Sequence, residues 1–229
     1  MRPLIVVVCL SLSALCSAAQ PEALPSSLTL SYVNHPAITG RFIPLIREAY
    51  RRLDIDVTFV EQPSARNLMF ADKGIVDGDV AYSDLLFKEY TSLIPVGPSL
   101  TDVTFLLLCH GELPCNRELL FQAGETFVLT AASMDGMQRL YADVIRADLY
   151  TINHLSRIPE LVSDGRFHYG IYVVTPQTSH LLDSLNVASV ELHTTYTHHL
   201  LNIKHAALAT RVAPILEQLL GQQSDPSGE

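Results

Sequence analysis

The sequence predicts an α/β protein of two similar lobes, each a mostly parallel sheet flanked by helices. Runs rich in β-branched and aromatic residues alternate with segments whose apolar residues recur at helical spacing. A helix–glycine–strand unit occurs twice: KGIVDGDVAY aligns with DGRFHYGIYV when Gly165 is laid over Gly74. Alternating strands and helices imply parallel pairing through crossover helices, and ligands on such sheets sit beyond the carboxyl ends of the strands.

The elements follow in order. LTLSYV (28–33) reads as a buried strand, and GRFIPLIREAYRRL (40–53) as a helix with Phe42, Leu45, Ile46, Ala49 and Leu53 on one side. IDVTFVE (55–61) is the next strand. SARNLMFADKG gives a helix with Ser64 as its cap and Gly74 as its stop, and delivers the chain into the strand DGDVAYS. In the second half TFVLTA (126–131) is a strand, MDGMQRLYADVIRADL (134–149) a helix, IPELVSDG a second helix ending in glycine, and RFHYGIYVVT a strand. Near the C-terminus His198 and His205 would share a helix face, with His199 elsewhere. The tail 221–229, GQQSDPSGE, reads as disordered.

Residues 1–19 run from Arg2 through LIVVVCLSLSALC to Ser17, Ala18 and Ala19, the pattern of a secretory signal peptide. The apolar run is short for a membrane span, which needs about 20 apolar residues. Lipidation at Cys16 is disfavoured by the bulky Leu15 before it. Export removes Cys9 and Cys16 and leaves Cys109 and Cys115, so a disulfide between them is the default. Five residues separate them in CHGELPC, whereas the familiar redox motif has two, which favours a structural clip over a redox pair.

Acidic residues outnumber basic ones 24 to 15, and no basic block occurs. Nucleic acid is therefore excluded as a partner, since phosphate binding draws on clustered Lys and Arg. The H-E-x-x-H, G-x-S-x-G and glycine-rich phosphate motifs are also missing, which removes the usual support for hydrolase and nucleotide-binding chemistry. His193, His198, His199 and His205 do not converge on paper as the three or four ligands of a zinc site. Neither a metal nor a cofactor is expected.

The stretch KGIVDGDVAYSD (73–84) admits three readings: metal loop, catalytic dyad, or rim of a binding cleft. A helix-loop-helix calcium site wants D-x-D-x-D-G and a later glutamate, and here Ala81 and Tyr82 interrupt the ligand series. Asp77 and Asp79 sit two apart with no nucleophile or base identifiable beside them. Asp77 suits the turn after Gly74. Asp79 and Tyr82, toward the strand's carboxyl end, are the candidates for ligand contact.

PSARNLMFADKGIVDGDVAY, TSLIPVGPSL, IPELVSDGRFHYGIYVV and YTHHLLNIKHAALATRVAPILEQLL together resemble bacterial extracellular solute-binding proteins of family 3, the amino-acid type, in a small divergent branch. The resemblance spans nearly the whole mature chain and implies a two-lobed periplasmic-binding-protein fold of the second type. Its chain crosses between lobes twice, near TFLLLC (104–109) and VELHTT (190–195). Residues 20–105 with 192–220 would form lobe 1, and 106–191 lobe 2. Relatives often carry a carboxylate-holding arginine after the DG pair; Tyr82 stands at that place here, and Arg66, matching the family's P-x-x-R arginine, is the substitute. A surface or interlobe salt bridge is the competing role for Arg66.

From the second lobe, Ser133 and Asp135 lie beside the start of the helix expected near Met134, where free N–H groups suit an anionic or polar group. Ser133 also suits a plain N-cap. Thr175 follows YGIYVV much as Ser83 follows DVAY. The expected contacts are thus Arg66, Asp79, Tyr82, Ser133, Asp135 and Thr175. The resemblance implies a monomeric periplasmic protein, not an enzyme, that takes a small polar solute, an amino acid or related compound, to an inner-membrane ABC-type transporter permease. A secreted sensor signalling to a membrane receptor is the alternative, with a dehydratase-like enzyme on this fold behind it.

Overall fold

The computed structural model describes residues 24–224. The expected signal peptide and the last five residues of the expected tail lie outside the described residues. Eight strands form one hydrogen-bonded sheet: β1 (Ser27–Tyr32), β2 (Asp56–Glu61), β3 (Gly78–Ser83), β4 (Leu93–His110), β5 (Thr126–Thr130), β6 (Asp148–Ile152), β7 (Tyr169–Val174) and β8 (Val187–Asn202). Their order is β2-β1-β3-β8-β4-β7-β5-β6. Pairing is parallel in β2-β1-β3 and in β7-β5-β6, and antiparallel where β8 and β4 join them.

This order divides the sheet into two lobes. β8 pairs with β3 only through Thr197–Leu201, and β4 pairs with β7 only through Thr104–Cys109. The two long strands stay paired with each other from Leu93↔Asn202 to His110↔Val187 and so run from one lobe into the other. Their ladder shifts register between Val96 and Thr101 and again between Phe105 and Leu106. Both expected crossing segments lie inside these strands.

Among the described residues six α-helices cover the sheet: α1 (Ile43–Arg51), α2 (Ser64–Asp72), α3 (Asp84–Phe87), α4 (Ala131–Tyr141), α5 (Ile158–Ser163) and α6 (Ala206–Ser224). α1 buries Leu45, Ile46, Ala49 and Tyr50, one stripe of a 3.6-residue period. On α6, Leu208, Val212, Leu216 and Leu219 form the matching stripe and pack on β4 and α1, returning the C-terminus to the first lobe. Helices on both faces explain why every residue of β3 is buried. The repeated unit is visible in the backbone, since Gly74 and Gly165 take φ of +68° and +70° after α2 and α5, the left-handed region that glycine enters without strain.

Five expectations are corrected. The helix expected over 134–149 is α4, which starts three residues earlier and ends at Tyr141; Ala142, at φ +34°, breaks it, and Leu149 belongs to β6. Thr130, not Ser133, caps α4: its Oγ1 accepts from Ser133 N at 3.2 Å. Ser64 does not cap α2, whose N-cap is Pro63 without a side-chain bond. The C-terminal histidines are mostly on a strand: His193, His198 and His199 lie in β8, rich in Thr and Tyr, and only His205 lies in a helical turn. α6 also runs through Ser224, four residues into the expected tail, where Arg41 Nε donates to Gln223 Oε1 at 3.2 Å.

Cys109 and Cys115 are disulfide-bonded, as the sequence leads one to expect, with Cα atoms 5.7 Å apart. No helix among the described residues is long and apolar enough to cross a membrane.

Candidate functional site

Two parallel strand pairs, one from each lobe, end at one cavity. β1 leads to Val33 and His35, β3 supplies Ala81, Tyr82 and Ser83, β5 leads through Thr130 to Ser133, and β7 supplies Val173 and leads to Thr175. The crossing strands close its floor with Val103 and Phe105 from β4 and Thr197 from β8. The cavity offers about 80 Å³ to the centre of a water-sized sphere, which corresponds to roughly five to eight heavy atoms of ligand. This is a place for a small molecule, at the carboxyl ends where open α/β sheets bind ligands.

Two helices point their N-termini at it, one from each lobe. α2 begins at Ser64 and α4 follows Thr130, and first-turn N–H groups have no partner within their helix. Ser64 is 7% exposed and its Oγ has no hydrogen-bond partner. Tyr82 is buried and its hydroxyl donates to Ser64 O at 3.4 Å. Thr130 Oγ1 donates to Ser133 Oγ at 3.0 Å, which leaves the Ser133 proton free to donate. Thr175 and Thr178 pair through their hydroxyls at 3.1 Å.

His35 joins the lobes. Its Nδ1 accepts from Ala37 N at 3.2 Å, so the proton is on Nε2, which donates to Val173 O at 2.9 Å. Burial lowers its pKa and keeps the ring neutral at pH 7, against a smaller opposing effect of the Val173 bond.

No family model matches the chain, and no curated protein matches it in sequence. Solved structures do match. An L-arginine-bound protein superposes with a TM-score of 0.71 at 13% identity, over 87% of each chain. The arginine-bound form of truncated ArgBP from T. maritima gives 0.66 at 12% identity, over 85% of this chain and 96% of that one. A histidine kinase sensor domain with similarity to periplasmic binding proteins gives 0.67 at 16% identity, over 86% and 92%. This is the periplasmic-binding-protein fold.

In this fold the cavity lies between the lobes, and the expected contacts divide around it. Tyr82, Ser133 and Thr175 line it. Arg66, Asp79 and Asp135 do not. Arg66 is exposed on α2. Asp135 opens onto a smaller hollow of about 30 Å³ with Tyr90 and Arg139. Asp79 is fully buried inside lobe 1, where Oδ2 accepts from Ser31 Oγ at 3.0 Å and Asn67 Nδ2 at 2.5 Å, and Oδ1 from Ala81 N at 3.0 Å. A break in the β3–β8 register between Asp79 and Tyr82 lets the two residues serve different sites. Burial pushes the Asp79 carboxyl up to about 7, only partly offset by those bonds.

Asp77 precedes β3 and ties its turn down. It accepts from Thr29 N at 2.8 Å and pairs with Lys204 and His205 at 2.8 Å each. His198 and His199, adjacent on β8, face opposite ways: His199 Nε2 accepts from Tyr50 OH at 2.8 Å, whereas His198 meets the Phe87 ring edge-on. Among the described residues no group of three or more metal-ligating side chains converges.

Among the wall residues that the sequence reading misses are His35, Phe105, Thr197 and, as a wall residue, Ser64. His35 and Ser64 each fall just past the end of a strand, the position that locates sites in such sheets, and that signal could have found them. Nothing in the local pattern of β4 or β8 marks Phe105 or Thr197.

Proposed function

We propose that the protein captures a small solute of amino-acid size between its lobes and delivers it to an inner-membrane ABC-type transporter from the periplasm. One observation carries this reading: strand ends and helix N-termini from both lobes meet at a single cavity, with a buried hydroxyl, Ser64 Oγ, lacking any partner. A ligand there touches both lobes and favours their closed arrangement by its differential affinity. Tyr82, Ser133 and Thr175 from the expected set, with Ser64, are the contacts; Arg66, Asp79 and Asp135 stand outside the wall. The arginine-bound neighbours support capture of a small molecule, and neighbours that are binding proteins and a sensor domain support capture without turnover.

A thermal-shift screen of small metabolites tests the reading. The expected result is a rise in melting temperature with a compound recovered unchanged. Chemical conversion of every stabilising compound would point to an enzyme instead. The resemblance to a histidine kinase sensor domain favours a second reading, a ligand sensor that docks on a membrane receptor. Co-purification of the ligand-loaded protein with a permease or with a receptor separates the two.

A further inference from the structure

We infer that the ligand is a small monocarboxylate with a compact apolar body and no ammonium group. The inference deepens the solute-binding reading and rests on it.

The wall contains no Asp, Glu, Lys or Arg. A zwitterionic amino acid enters such a site with its ammonium stripped of water and without a counter-charge, which is strongly unfavourable. The acids nearby stand outside that wall. Asp79 is held inside lobe 1 by Ser31 and Asn67, and Asp135 faces a smaller hollow, with Arg139, that shares Ser64, Tyr82, Leu86 and Ala132 with the cavity. Glu61 belongs to an adjoining hollow, where it accepts from Asn34 Nδ2 at 3.3 Å.

The donors, by contrast, come from the first turns of α2 and α4. Ser64 offers an unpaired hydroxyl that is almost wholly buried, and Ser133 offers the proton that Thr130 leaves free. Each belongs to the first turn of a helix of nine or eleven residues whose N-terminus carries partial positive charge. Two hydroxyls and two helix N-termini, one of each per lobe, suit a carboxylate that bridges the lobes. His35 adds no charge, because its Nε2 proton is committed to Val173 O. Val33, Ile38, Phe42, Leu86, Val103 and Phe105 give the wall an apolar part, which suits a branched hydrocarbon.

Titration calorimetry on the full mature chain decides with matched pairs. The probes are 3-methylbutanoate against valine, 4-methylpentanoate against leucine, and 3-methylbutanamide as the neutral analogue of the first acid. At least one acid should bind tenfold or more tighter than its amino acid and than the amide. Ser64→Ala and Ser133→Ala should each weaken it fivefold or more while leaving the melting temperature within a few degrees. An amino acid that binds as tightly as its acid overturns the inference and leaves solute capture standing. So does an amide that binds equally well, or acid binding that ignores both serine substitutions. If none of the probes binds, the inference falls, and a broad metabolite screen judges solute capture separately.

Discussion

His35 Nε2 donates to the carbonyl oxygen of Val173 at 2.9 Å, a hydrogen bond that ties the end of β1 in one lobe to β7 in the other beside the cavity. It is a partly buried contact between segments 138 residues apart. His35→Ala should cost about 1–2 kcal/mol and enlarge the radius of gyration of the ligand-free protein, while His35→Gln, which can still donate, should restore much of both. The lowered pKa sets the pH sense: the neutral ring's contribution is present above the ordinary histidine value and lost as pH falls through the lower folded value. Identical scattering from wild type and His35→Ala would show that the bond does not hold the lobes.

Asp79 and His199 oppose each other across pH. Burial raises Asp79 from 3.8 to about 7, so its favourable contribution is present below 3.8 and lost as pH rises through 7. Burial lowers His199 from 6.5 to about 4, so its contribution is present above 6.5 and lost as pH falls through 4. The residues touch, since His199 Nδ1 donates to Asp79 O at 2.7 Å. Measured as the urea midpoint relative to wild type, Asp79→Asn should gain stability as pH rises from about 4 to 7. His199→Gln should gain it as pH falls over the same range. Differences independent of pH would contradict the burial of both groups.

How far the fold can be read from sequence depends on whether the signal is local. The glycine stops of α2 and α5 are legible because a left-handed residue between helix and strand has a chemical signature in the chain. The disulfide is legible because the expected export leaves only two cysteines, while the signal peptide itself lies outside the described residues. The start of α4 is misread because Thr130 and Ser133 are both acceptable caps, and only β5 decides between them. Asp79 is misread as a cleft residue for a similar reason: its partners Ser31 and Asn67 are 48 and 12 residues away, and the register break that separates it from Tyr82 depends on β8.

Gly78 shows the same non-local control. A Cβ added there would lie 2.2 Å from Leu200 O on β8, and strand backbone cannot move aside cheaply. Gly78→Ala should therefore destabilise by about 2–3 kcal/mol. Gly221, inside α6 with nothing within 4 Å of such an atom, should instead tolerate alanine or gain up to about 1 kcal/mol. Chemical denaturation of both variants is the check, and a neutral Gly78→Ala would refute the β3–β8 pairing.

The Cys109–Cys115 bridge lies at the far end of β7 from the cavity, because Cys109 pairs with Tyr169 at the start of that strand and the cavity lies at its close. Reduction should lower stability by about 2 kcal/mol and leave ligand affinity unchanged. Thiol labelling under denaturing, non-reducing conditions should find no reactive cysteine in the mature protein. Two reactive thiols would rule the bridge out.

Closure itself can be located. Only β4 and β8 carry the sheet from lobe to lobe, and they pair with each other alone at Asp102–Val103 opposite Tyr196 and Thr195, between register shifts at Val96/Thr101 and Phe105/Leu106. A two-stranded stretch flanked by breaks in its ladder bends most easily, so the hinge belongs there. β2 and β6 are the outer edges of the sheet and should move most. Spin labels on cysteines replacing the exposed Asp56 of β2 and Asp148 of β6 report the distance directly, since the native cysteines are already bonded. The distance distribution should shift and narrow when a stabilising ligand saturates the protein, with a smaller radius of gyration in scattering. Labels placed within one lobe, on Asp56 and Lys88, should show no change. If the edge-to-edge distance stays fixed under saturation, the ligand does not act by closing the cleft, and recognition at a preformed surface becomes the better account of this protein.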